Sequence, residues 1–78
     1  MSKNRQEKDM NSLQAVVMTR RMAMRTRDPR ALKNVIIELD KCGGTTAELL
    51  EHTMNCAVTA GDVEVFAWAT QKYYRLKH

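Results

Sequence analysis

Three residues in the middle of the chain could bind a metal or act as nucleophiles: Cys42, His52 and Cys56. His52 and Cys56 are four residues apart, a spacing that places both side chains on one face of a helix. A structural zinc site needs four ligands, and paired cysteines are its strongest sequence signal. The chain has two widely separated cysteines, and its second histidine is the C-terminal His78. We therefore expect no metal site and no disulfide, and we interpret the cysteines as small apolar residues.

Glu48 and His52 have the same spacing and invite comparison with an acid–base pair. The pattern of apolar residues around them places both on the solvent side of a helix, where such a pair contributes little. The chain lacks the Gly-rich loops that bind phosphates or dinucleotides, and it lacks the motif that carries a nucleophilic serine. Its 78 residues leave little room for a pocket. We predict a protein that is not an enzyme, with no cofactor and no small-molecule substrate.

A cluster of six cations lies within fourteen residues of the first half of the chain. Such a cluster could contact the phosphates of nucleic acid. The cations are spread around a helix and the corner after it, and no helix-turn-helix of standard spacing accompanies them. Nucleic-acid binding through residues 20–33 is therefore our alternative function, beside the plainer interpretation of a solvated face. The six residues are Arg20, Arg21, Arg25, Arg27, Arg30 and Lys33.

Charge is distributed unevenly along the chain, whose net charge is +4. Residues 1–30 contain eight basic and three acidic residues, residues 31–62 contain two and five, and residues 63–78 contain three and one. A basic beginning, an acidic middle and a basic end favour pairing within the chain or between subunits as much as a polyanionic partner.

The length and composition predict one small all-α domain. Seventy-eight residues suffice for a single domain with a marginal core, and three glycines and one proline are too few for a turn-rich β-protein. No apolar run approaches the roughly 18 residues of a membrane span. The polar N-terminus does not resemble a secretion signal, so we expect a cytoplasmic protein with reduced thiols and no membrane partner.

Capping signals divide the chain into a flexible segment, residues 1–8, and a single helical domain, residues 9–78. Asp28 before Pro29 begins a helix, and so does the capping-box sequence of residues 45–48. Gly61 followed by Asp62 ends one helix and begins the next. The predicted fold is a compact bundle of four short helices that ends in a tight helical hairpin. The helices are expected at about residues 9–26, 29–41 and 46–60, and from residue 62 nearly to the C-terminus.

Apolar periodicity predicts which face of each helix is buried. Arg20 falls inside the apolar arc of the first helix, which makes that face irregular. The expected buried residues of the first two helices are Met10, Leu13, Val17 and Met24, flanked by Val16 and Ala23, and then Leu32, Val35, Ile36 and Leu39. Those of the last two are Ala47, Leu50, Met54, Ala57 and Val58, flanked by Leu49, Cys56 and Ala60, and then Val65, Phe66, Ala69, Tyr73 and Leu76.

Four apolar residues fall outside these faces: Met18, Met22, Ile37 and Trp68. Trp, Met and Arg are enriched in protein interfaces, and so small a chain has little core in which to hide extra apolar side chains. We therefore expect a small non-catalytic interaction module, such as an adaptor, inhibitor, chaperone or regulatory subunit. It would dock a helical face on a protein partner or on a second copy of itself, with nearby arginines steering the encounter.

Overall fold

A computed structural model of the protein describes residues 13–77, which form four α-helices. Helix α1 spans Leu13–Met24, α2 Pro29–Asp40, α3 Ala47–Ala60 and α4 Val63–Lys77. This confirms the all-α bundle and its closing hairpin. The predicted flexible segment and the predicted start of the first helix, with Met10, lie outside the described residues. No helix within residues 13–77 has both the length and the apolar character needed to cross a membrane.

The local signals for helix ends are largely confirmed. Asp28 Oδ1 accepts a hydrogen bond from the backbone N–H of Arg30 at 3.1 Å, with Pro29 in the first turn. Asp62 Oδ1 accepts one from Val65 at 3.1 Å and so caps α4. Gly61 adopts a left-handed conformation with φ of 73°, which lets the chain reverse between α3 and α4.

The predicted capping box is wrong by one residue. The N-cap of α3 is Thr46, whose hydroxyl oxygen accepts from the N–H of Leu49 at 3.2 Å. Thr45 instead donates its hydroxyl to Asp40 Oδ1 at 2.6 Å. Because the helix begins after Thr46, Glu48 is one position too early to complete the reciprocal half of the motif.

The core is built mainly on α2 and α3. The predicted face of α2 is confirmed: Leu32, Ile36 and Leu39 are fully buried and Val35 packs at the edge. Thr53 of α3 is buried as well, although it was not predicted, and its hydroxyl is satisfied by the carbonyl of Leu49 at 2.9 Å. The buried residues are Val16, Ala23, Pro29, Leu32, Ile36, Leu39, Gly44, Leu49, Leu50, Thr53, Ala57, Val65 and Ala69.

The predicted buried face of α1 is largely wrong, since only Val17 of its described main row is even half-buried. Leu13 is 77% exposed and Met24 is also exposed, whereas Val16 and Ala23, expected only on the flank, are the buried residues. Val16 packs so closely on Gly44 that a Cβ at that glycine would lie 2.8 Å from Val16 Cγ1. The buried side of α1 is therefore selected by its fit against the connection after α2, and not by the row with the most apolar residues.

Several residues expected in the core of the hairpin are exposed. Val58, Ala60, Phe66 and Leu76 lie at the surface, while Val65 and Ala69 are buried as predicted. Tyr73 is half-buried; its hydroxyl donates to Glu51 Oε2 at 2.9 Å. The two-residue connection, Gly61 and Asp62, holds α3 and α4 close together, so small side chains at the crossing fill the space and larger ones beside it stay outside.

Candidate protein-interaction surface

The outward side of α1 is a face of methionine, arginine and glutamine. It lies opposite the buried residues Val16 and Ala23, and Met18 and Met22 are 51% and 65% exposed. Counted from Gln14, the other residues of this face follow at four, seven, eight and eleven positions, and this spacing places them all on one side of the helix. We call it the Met–Arg face; it consists of Gln14, Met18, Arg21, Met22 and Arg25, all of them exposed.

The structure divides the six predicted cations into two groups. Arg21, Arg25 and Arg27 are exposed, and none of them forms an ion pair with any residue between 13 and 77. Arg20 is half-buried on the inner side of α1, and its Nη1 donates to the carbonyl of Gly44 at 2.9 Å. Arg20 therefore helps to hold α1 in place.

The other two cations are bound to the start and the middle of α4. Arg30 Nε lies 3.2 Å from Asp62 Oδ2, and its Nη2 lies 3.2 Å from Glu64 Oε1. The Lys33 ammonium lies 5.5 Å from the centre of the Trp68 ring. The basic cluster is thus not one continuous surface, and the predicted patch is reduced to three arginines that form no ion pair within residues 13–77.

The four predicted anchors are divided in the same way. Trp68 is half-buried, packs against the core and lies under two ammonium groups, those of Lys33 and Lys72 at 5.5 and 5.6 Å. Ile37 is exposed on α2, one turn beyond Lys33. Trp68 therefore belongs to the boundary between α2 and α4, Ile37 is exposed on α2, and Met18 and Met22 lie on the Met–Arg face of α1.

A second exposed apolar face was missed. Val63, Phe66 and Tyr74 follow helical spacing on one side of α4 and are exposed, as is Val58 near the end of α3. The signal was present in the sequence, but Val58 and Phe66 were assigned to the core. The error arises because the sequence contains two adjacent apolar rows, and only the position of the neighbouring helix determines which of them is buried.

The His52–Cys56 pair has a structural partner outside its helix. His52 Nε2 lies 2.8 Å from the carbonyl oxygen of Thr26, so that nitrogen must carry the donated hydrogen. Cys56 Sγ lies 3.7 Å from the same nitrogen. His52 is therefore half-buried, contrary to the prediction that it faces water, and it ties α3 to the connection between α1 and α2.

The two cysteines lie in different surroundings. Cys56 borders a shallow surface pocket of about 250 Å³ that also includes Arg27 and Asn55. Cys42 donates its thiol to the carbonyl of Leu39 at 3.4 Å, and both thiols are free. Among the residues that the structure describes, no group of three or more His, Cys, Asp or Glu is placed to hold a metal ion.

One carboxylate on the boundary between α2 and α4 has a shifted pKa. Burial raises the pKa of Asp40, but hydrogen bonds from Lys72 and Thr45, together with the Lys72 charge, outweigh it and lower the pKa below its ordinary value of 3.8. Asp40 and Lys72 form an ion pair that connects the end of α2 to α4. The charged groups at this boundary therefore already have partners within the bundle: Lys72 pairs with Asp40, and Lys33 lies over Trp68.

Comparison with known proteins identifies no relative. No family model matches the sequence, and no curated protein and no solved structure gives a significant match to it.

Proposed function

We propose that this protein is a non-catalytic interaction module that binds a protein partner through the Met–Arg face of α1. The observation that carries the proposal is the pair of exposed methionines, one helical turn apart, on the side of α1 turned away from the core. Methionine supplies a flexible apolar surface that adapts to a partner, and arginine is common in interfaces. An adaptor, an inhibitor, a chaperone and a regulatory subunit all fit this mode of action.

The remaining structure supports a docking role for α1. The helix is held by its inner residues Val16, Ala23 and Arg20, so its outer residues are not needed for packing. A partner could therefore cover Met18 and Met22 without displacing a contact within the bundle. A homodimer is one form of this proposal, and the cytoplasmic location stays a prediction.

Site-specific photo-cross-linking tests the proposal. A photoreactive amino acid placed at Met22 should cross-link a protein in cells of the source, and Met18→Gln in the same chain should strongly reduce the product. The control position is Glu48, which is exposed on α3. Equal products from positions 22 and 48, or no product from position 22, would contradict docking through this face.

Nucleic-acid binding is the second candidate, supported by the three arginines that lack an ion pair within residues 13–77. Three phosphate contacts would give a slope of about −2.7 in a plot of log affinity against log salt concentration, from about −0.9 per contact. Titration of a random DNA duplex at several salt concentrations measures that slope. Arg21→Gln with Arg25→Gln should lower it, whereas Met18→Gln should not, because a thioether makes no phosphate contact.

A further inference from the structure

We propose that the occupant of the Met–Arg face is an acidic amphipathic helix of a partner protein. This inference rests on the proposed function and specifies the chemistry of the partner. It follows from three features of the described residues: the arrangement of the face in two rows, the lack of ion-pair partners for its arginines within residues 13–77, and the shortage of unpaired carboxylates in the same range.

The face consists of two parallel rows along α1. Met18 and Met22 are one turn apart, and so are Arg21 and Arg25, with each row advancing about 6 Å along the helix axis. The arginine row is displaced to one side of the methionine row, because a step of three residues falls about 60° short of a full turn. A partner helix lying along α1 would present apolar residues to the methionines and carboxylates along one edge only.

The arginine row has no ion-pair partner among the residues that the structure describes. Like charges four residues apart on a helix repel each other, and no carboxylate among residues 13–77 pairs with Arg21 or Arg25. Acidic side chains on the partner would relieve this repulsion and add charge-assisted hydrogen bonds. The exposed methionines beside the arginines favour protein over nucleic acid, since phosphates would leave the methionines uncovered.

A second copy of this chain is a poor occupant. If two copies packed these faces together about a twofold axis, each arginine row would meet a face of like charge. Most carboxylates of the described residues already have a partner, because six of the seven accept a hydrogen bond or form an ion pair within the chain. These six are Asp28, Glu38, Asp40, Glu51, Asp62 and Glu64, which leaves Glu48. A foreign chain is therefore the better source of several carboxylates in a row.

Two designed peptides test the inference on the full-length protein. Both are amphipathic helices of about 18 residues with the same leucine stripe; one carries glutamates along one edge of the stripe and the other carries lysines there. Fluorescence anisotropy of the labelled peptides gives their affinities. We expect the glutamate peptide to bind at least about fivefold more tightly than the lysine peptide. Equal affinities, or tighter binding of the lysine peptide, would overturn the inference.

Charge reversal supplies the sharper comparison. Arg21→Glu with Arg25→Glu should invert the preference, so that the lysine peptide binds more tightly than the glutamate peptide. The matched control is Arg75→Glu with Lys77→Glu, which changes the net charge equally at the end of α4 and should leave the preference unchanged. If the control inverts the preference as well, bulk charge is responsible and the inference fails. Circular dichroism establishes that all variants keep the helical content of the native chain.

Three further outcomes separate the inference from the proposed function. If neither peptide binds while position 22 still cross-links a protein, the acidic helix is wrong and the docking face remains. If the cross-linked product is a dimer of this chain, the partner is a second copy, which also overturns the inference. If DNA binds Met18→Gln/Met22→Gln with unchanged affinity and displaces the glutamate peptide from the native chain, the arginines serve nucleic acid and both proposals fail.

Discussion

The α3–α4 hairpin and helix α1 contribute very differently to the bundle. The hairpin buries six residues and has capping side chains, Thr46 and Asp62, at the start of both helices. Helix α1 buries only Val16 and Ala23, and it contacts Gly44, in the connection after α2, through both Val16 and the Arg20 hydrogen bond. The hairpin acts as the scaffold, and α1 is a lightly attached helix whose outer side is available to a partner.

This difference has an energetic consequence. Elements with few buried apolar contacts open at lower free energy than the core of a domain. We expect the amides of α1 to exchange with solvent faster than those of α3 at the same pH. If a partner docked on α1, exchange of the α1 amides should slow, because docking would bury apolar surface on a helix that has few buried residues.

The largest expected effect compares a hairpin leucine with a methionine of α1. Leu50 is fully buried, so Leu50→Ala should lower the free energy of unfolding by about 2–5 kcal/mol. Met22→Ala should change it by less than about 0.5 kcal/mol, because Met22 is largely exposed. Urea unfolding followed by circular dichroism measures both values. A similar loss for the two variants would mean that Met22 supports the fold, and the contrast between scaffold and binding helix would disappear.

The attachment of α1 is tested at Gly44. A Cβ there would lie 2.8 Å from Val16 Cγ1 and 3.1 Å from Leu39 Cδ2, so Gly44→Ala should cost about 1–3 kcal/mol of stability. Hydrogen exchange should show the α1 amides opening more readily, with α3 less affected.

Gly43→Ala is the matched control, since Gly43 has a positive φ of 71° and open space around its Cβ position. It introduces backbone strain without contacting α1. Adding Val16→Ala to Gly44→Ala should restore part of the lost stability by removing the overlapping methyl group. If the two glycine variants loosen α1 equally, the close contact with Val16 does not hold the helix.

The sequence was sufficient for the features set by neighbouring residues. The helix start at Pro29 and the left-handed turn at Gly61 depend on side chains within a few positions, and both are confirmed. The buried face of α2 was predictable because its large apolar residues, apart from the exposed Ile37, form a single row with charged residues on the opposite side. In such elements local preference and tertiary packing select the same conformation.

The features set by distant residues could not be predicted in the same way. The sequence offers two apolar rows on α1, and the choice of the row with Val16 and Ala23 depends on Gly44, more than twenty residues away. Met18 and Met22 were identified as outward-facing because they oppose every apolar row that could be buried. Trp68 was also predicted to face outward but is half-buried, since its cover comes partly from Lys33 on another helix.

A smaller effect is expected at the turn of the hairpin. Gly61→Ala places a Cβ on a residue with φ of 73°, which should cost about 1–2 kcal/mol from backbone conformation alone, because open space surrounds the site. Gly61→Asn should cost less, since asparagine tolerates the left-handed region better. Thermal unfolding of the three proteins gives the order. Equal losses for alanine and asparagine would indicate that the turn relaxes out of the left-handed conformation, and that the scaffold is less rigid than proposed.

The smallest effect concerns the pH dependence of the ion pair between Asp40 and Lys72. Because the pKa of Asp40 in the folded protein is below its ordinary value of 3.8, its contribution to stability is fully present above that value and is lost as pH falls through the folded pKa. Asp40→Asn should therefore cost less than about 1 kcal/mol at neutral pH, as is usual for a partly exposed ion pair, and progressively less as the pH falls below 3.8 and the carboxylate is protonated. Denaturant unfolding from pH 7 to pH 2 measures the difference in stability between this variant and the native chain.

The ion pair between Asp40 and Lys72 joins α2 to α4, so acidification should leave the protection of the α1 amides relative to the other helices unchanged. A loss centred between pH 5 and pH 7 would contradict the assignment to Asp40, and a selective opening of α1 would show that this helix depends on the boundary between α2 and α4.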